Sequence, residues 1–176
     1  MGRLPEVIVD NENQLHYCLW ANQLVKSGIF MKYLCNNHRN EFANNPQQAA
    51  RAWKGIIEQA RELFHMREWE KATIVYGNAF EISELLLTSD RTQYSVDRYL
   101  RSALELVYAL RKKDTEVNLA AFILHVGMSI KGIPHSMALP QLMRPLEEVS
   151  KMPINLVDFW MLSLLSLDSI ESRILH

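Results

Sequence analysis

Cysteine, glycine and proline are all scarce in this chain, and each scarcity removes a class of protein. The two cysteines, Cys18 and Cys35, stand outside any metal-ligand or Cys-x-x-Cys spacing. They are too few for a disulfide framework and are expected to be reduced, half-buried thiols of a cytosolic protein; whether they also pair depends on geometry. Six glycines and six prolines in 176 residues leave little turn chemistry for a sheet. Outside Val7 to Val9 no stretch favours a strand by pattern. No run of about 18 apolar residues offers a membrane span. Residues 1–10 lack the basic start and apolar run of a secretion signal, and Glu6 stands where a myristoylated Gly2 would want serine or threonine. An excess of one charge is missing too: 19 basic against 20 acidic side chains give a net −1, which supplies no field toward nucleic acid or an anionic membrane.

What the chain has is apolar side chains, 48% of the total, arranged almost everywhere with helical period. The clearest case is 51–87. Trp53, Ile56, Ile57, Ala60, Leu63 and Phe64 recur at three- and four-residue steps, and Trp69, Ala72, Tyr76, Ala79, Phe80, Ser83 and Leu86 do the same after a short break at His65 to Glu68. A connection that short forces two helices to pack antiparallel. Small residues belong where such helices cross closest, which makes Ala60 and Ala72 the expected crossing pair.

Ile56, Ala60, Leu63, Trp69, Ala72, Tyr76 and Ala79 give this hairpin the skeleton that resembles a tetratricopeptide repeat, over roughly a fifth of the chain. The sequence departs from that pattern at Ile56 (usually aromatic), Ala60 (usually glycine), Leu63 (usually tyrosine) and Glu84 (usually proline). The resemblance implies a stack of helical pairs whose first helices line a concave, peptide-binding face. A second hairpin at 92–131 repeats Ala60 and Leu63 as Ala103 and Leu106. That offset is longer than the roughly 34 residues of a regular unit, so the array is degenerate.

In chain order, residues 1–10 read as an extended arm with Asp10 or Asn11 as a cap, and a helix follows on Tyr17, Trp20, Ala21, Leu24 and Gly28. Ile29, Phe30, Tyr33 and Leu34 carry a further helical turn or two, and the asparagine-rich stretch 36–45 is expected to be a loop. Asn45 followed by Pro46 is the cleanest helix start. Arg111, Lys112 and Lys113 close the helix that begins near Val96, as a solvated cationic end. Residues 116–131 are apolar nearly all round, which predicts a central helix; Gly132 and Pro134 end it. Ser136 to Met143 and Pro145 to Lys151 read as two short helices. A last helix, 153–175, places Val157, Trp160, Met161, Leu164, Leu167 and Ile170 inward and Asp158 outward. The expected architecture is one all-α domain over 1–176, an irregular stack of antiparallel hairpins with a C-terminal capping helix; the right-handed sense comes from the tetratricopeptide resemblance.

The search for chemistry is short. Glu62 and His65 have the spacing of a bundle metal site, but no second Glu-x-x-His exists, so no metal is expected. His125, in the most apolar segment, reads as a core histidine bonded to a neighbour. Phosphate-binding loops, nucleophile elbows, zinc-finger spacings and dinucleotide fingerprints are absent, so neither a catalytic activity nor a cofactor is expected. Arg98, Arg101 and Arg111 to Lys113 fall on different helical phases, against nucleic-acid binding. Trp20, Trp53, Trp69 and Trp160 all fall on apolar stripes as core anchors. The function expected is a non-catalytic, cytoplasmic adaptor for a protein or peptide. Its binding face would carry Lys54, Arg61 and His65, with Ile57 and Glu58 between them, and by analogy Asn22, Lys26 and Arg101. The alternatives are a helical enzyme or small-ligand sensor with a pocket around His125 and Tyr99, and a structural homo-oligomer such as a homodimer joined through the C-terminal helices.

Overall fold

The computed structural model describes residues 32–161. The expected arm, the first helix with Asn22 and Lys26, Cys18, and the end of the last helix lie outside these residues. Within them the chain is all-helical and has no strand. The order is α1 (Asn36–Asn44), α2 (Pro46–His65), α3 (Trp69–Ser89), α4 (Gln93–Lys113), α5 (Ala120–Ile130) and α6 (Leu139–Lys151); residues 154–161 are helical as well.

The α2–α3 hairpin forms for the reasons its sequence gives. The Asn45 side chain accepts from the Gln48 N–H at 3.1 Å, and Pro46 occupies the first turn. At the other end Arg67 takes φ of 61°. The Glu68 N–H then bonds the Leu63 carbonyl and the Arg67 N–H bonds the Phe64 carbonyl, both at 3.0 Å, which closes the helix with a left-handed residue. That position suits glycine, and an arginine there is strained. Arg67→Gly is therefore expected to raise stability by about 0.5–1 kcal/mol, read as a higher urea midpoint with an unchanged slope.

Among the described residues helix α3 is the central one. It packs between α2 and α4 and buries residues around its whole circumference, among them Ala72, Tyr76, Ala79, Phe80, Ile82 and Leu86 and the polar Asn78, Glu81 and Ser83. A Cβ on Gly77 would overlap the Tyr33 ring; glycine is what allows that ring to lie against the helix. Ala60 and Ala72 are both fully buried. Trp53, Trp69 and Trp160 are half-buried at the margin of the core, and Trp69 meets Phe64 edge-on at 4.7 Å.

Four expectations about the helices are corrected. Residues 36–44 form α1 rather than a loop, because Phe42 is buried and Arg39 pairs with Glu81 of α3, contacts that outweigh the poor helix propensity of asparagine. Tyr33 and Leu34 are buried but not helical. Helix α5 starts at Ala120, after Asp114 and Asn118 side chains have accepted the N–H groups of Glu116 and Ala120. It is also peripheral: only Val126 and Ile130 are buried, while Leu124 and Met128 are 66% and 68% exposed. One face meets its neighbours through Phe122 against Phe80 and Met143 against Gly127, and the opposite face has no cover among the described residues.

The fourth correction is α6, one helix where two were expected. Pro145 lies inside it and costs about 3 kcal/mol. Burial of Met143, Leu146 and Val149 along one face offsets that cost. Arg111, expected in solvent, is buried and donates through Nη1 to the Val149 carbonyl at 2.7 Å and to the Met152 carbonyl, so it caps the C-terminal end of α6. Lys112 and the Tyr108 hydroxyl donate to Asp158 at 2.8 and 2.7 Å, which turns that carboxylate onto α4. Gly132, at φ of 77°, ends the turn after α5 as expected.

Candidate functional site

Among the described residues two places bring candidate functional side chains together: the outer face of α2 and α4, and a cavity between α3 and α5. On the first, the Trp53 indole donates to Ser102 Oγ at 2.9 Å, and Ser102 Oγ donates to the Arg98 carbonyl at 2.9 Å. Deeper in, Glu105 is 2% exposed. It accepts two bonds from Arg61, Nε to Oε2 at 2.9 Å and Nη2 to Oε1 at 2.6 Å, and one from Arg101 Nε at 3.1 Å. This planar fork on a carboxylate is the geometry arginine provides and lysine does not. The adjacent Tyr76 hydroxyl is held protonated well above its usual range, first by burial and then by the Glu105 charge.

Arg61 and Arg101 therefore meet on one buried carboxylate, and the Arg61 bonds join α2 to α4. Lys54, Glu58 and His65 are exposed on α2. Ile57, expected beside them, is buried at 2% exposure. Sequence reasoning missed the most distinctive group on this face: the Arg98 guanidinium lies 4.6 Å from the Tyr94 ring centroid and 5.6 Å from that of Trp53, while Tyr94 is 67% exposed. Tyr94 and Arg98 at i and i+4 are a legible helical pair; the third member, Trp53, sits on another helix and gives no sequence signal.

The second place is a cavity of about 500 Å³ lined by Lys32, Arg39, Arg91, Glu81, Glu84, His125, Ser129 and apolar side chains including Phe80, Leu87 and Ile133. His125 Nε2 lies 2.6 Å from Glu84 Oε1, so it has the bonded neighbour its apolar context called for. Glu84 also lies 3.6 Å from Arg39 Nη2, and Arg39 Nη1 is 2.9 Å from Glu81 Oε2. Glu81 further accepts the backbone N–H groups of Tyr33 and Leu34. The Glu81–Arg39–Glu84–His125 chain thus ties the 33–39 segment, α3 and α5 together. The Tyr99 hydroxyl is buried beside Ser129 and Glu84 and makes no hydrogen bond of ordinary geometry.

Glu81 titrates above its ordinary value near 4.5, because burial outweighs the help of the Tyr33 N–H and Arg39. The folded protein then holds a proton that the unfolded chain has already released, so stability falls as pH rises from about 4.5 through the raised value. Below that window the contribution is complete. Glu81→Gln is expected to flatten this part of the profile, as read by urea midpoints across the acidic range; an unchanged profile would assign the slope to another group.

Smaller features complete the survey. Cys35 Sγ lies 3.3 Å from His38 Nδ1 at the start of α1, a pair that the helical turn brings together. Glu62 and His65 are both exposed, and among the described residues no group of three or more His, Cys, Asp or Glu side chains converges on one point. Among the same residues no helix is long and apolar enough to cross a membrane. No family model, curated protein or solved structure matches the chain.

Proposed function

We propose that this protein is a non-catalytic adaptor that holds a protein or peptide segment against the outer face of α2 and α4. The observation that carries the reading is the Tyr94–Arg98–Trp53 stack on that face, with Tyr94 largely in solvent. Tyrosine, tryptophan and arginine dominate binding energy at protein interfaces. A guanidinium already stacked between two rings loses little freedom when a partner arrives. Lys54 adds an exposed cation for backbone carbonyls or carboxylates of the partner. The resemblance of the hairpin to a tetratricopeptide unit points the same way, since first helices line the ligand face in that family. The binding residues of this reading are Lys54, Tyr94 and Arg98, with His65 at the edge; from beneath, Arg61 fixes α2 to α4 through Glu105, and Arg101 braces the same carboxylate from within α4.

The test is the double variant Lys54→Ala with Tyr94→Ala. Both side chains are exposed, so the melting temperature should not change. Partners captured from the native host by the parent, and mapped to α2 and α4 by cross-linking, should be lost or weakened by about tenfold or more. Capture of the same partners at the same yield would rule this face out.

A further inference from the structure

The cavity between α3 and α5 plays no part in adaptor binding on the opposite helices, yet its lining defines a ligand. Its size, about 500 Å³, falls within the roughly 300–1,000 Å³ of small-molecule sites. Its charges do not cancel locally. Glu81 spends its oxygens on Arg39 and two backbone N–H groups, and Glu84 spends its own on His125 and Arg39. That leaves two cations in the lining: Arg91, which makes no hydrogen bond or ion pair among the described residues, and Lys32, which donates to the neutral Asn36 side chain at 2.5 Å. The uncompensated charge is positive, and the walls between are apolar, formed by Phe80, Leu87 and Ile133.

Tyr99 is completely buried behind the lining residues Ser129 and Glu84, so the polar groups a guest meets are those of the lining itself. We propose that this cavity binds a small aliphatic carboxylic acid. Its carboxylate sits between Arg91 and Lys32, and its hydrocarbon lies on Phe80 and Ile133. Arginine and lysine recognise a carboxylate by charge-assisted hydrogen bonds, and the apolar walls select against inorganic anions, which leave them exposed to water.

Octanoate and octanol test this on the full-length protein by calorimetric titration. Octanoate should bind saturably, and octanol should not. Arg91→Gln should weaken octanoate by about tenfold, while Lys151→Gln, an exposed lysine at the far end of α6, should change nothing. Absence of saturable heat from octanoate would overturn the proposal. So would equal binding of octanol, or an affinity untouched by Arg91→Gln.

Discussion

Arg61→Ala is expected to lower stability by about 3 kcal/mol, or roughly 6–12 °C in melting temperature for a domain of this size. The variant strands Glu105, which is almost completely buried and loses the two Arg61 bonds at 2.6 and 2.9 Å. Removing one partner of a buried pair costs about 3–5 kcal/mol. The lower end applies because Arg101 stays 3.1 Å from the same carboxylate and the Arg61 side chain is 27% exposed, so solvent already screens part of the pair. Lys54→Ala, on the same helix but in solvent, should leave the melting temperature where it was. Replacing Arg61 and Glu105 together by methionine should recover most of the loss, since an apolar pair of similar volume needs no compensating charge. A melting temperature unchanged in Arg61→Ala would mean that Glu105 finds water, and that α2 and α4 do not close over it. The expected loss reverses what the sequence pattern led to: by phase alone Arg61 and Lys54 share an open face and should be removable together without cost.

The second large effect is at Arg111. Its Nη1 holds the Val149 and Met152 carbonyls at the end of α6, and those groups have no further turn of helix to accept from. Arg111→Ala takes away two charge-assisted bonds and leaves the carbonyls facing a gap, which should cost about 3 kcal/mol. Hydrogen exchange distinguishes this from a general loss of stability. Amides of α6 should lose protection well before those of α3, because α6 is joined mainly to α4 whereas α3 is enclosed by α2 and α4. Equal loss of protection in both helices would show that Arg111 supports the whole core and not the end of α6.

These two arginines show where sequence reasoning stops. The all-helical class, the start of α2 at Asn45 and Pro46, the α2–α3 hairpin and the stop at Gly132 were legible because each depends on residues within a few positions of one another: a cap and its N–H, a stripe and its period, a glycine and its φ. The identity of α1 was not legible. Its asparagines argue locally for a loop, and only Phe42 in the core and Arg39 on Glu81 make the helix worthwhile. Nor was the centre of the molecule. Apolarity alone nominated 116–131, but α5 keeps one face open, while α3, with a glutamate, an asparagine and serines among its apolar residues, is the helix enclosed on all sides.

The candidate sites divide along the same line. Sequence placed Lys54 and His65 on an exposed side of α2, since helical phase settles that much. It could not tell them from Arg61, because a cation facing water and one facing a buried carboxylate 44 positions away look the same along the chain. Tyr94 and Arg98 stand one helical turn apart and were overlooked as a pair, and Trp53 joins them only after α2 and α4 are laid side by side. His125 stood out as a polar group in an apolar helix; that its partner is Glu84, and that both open on a cavity with Lys32 and Arg91, is a product of packing. Periodicity and capping chemistry, which act over a turn or two, determined that this chain is a set of helices and where most of them begin and end. Which charges are buried, which helix is central and where a ligand has room were decided by contacts between residues forty to fifty positions apart, whose energies exist only once the helices have met.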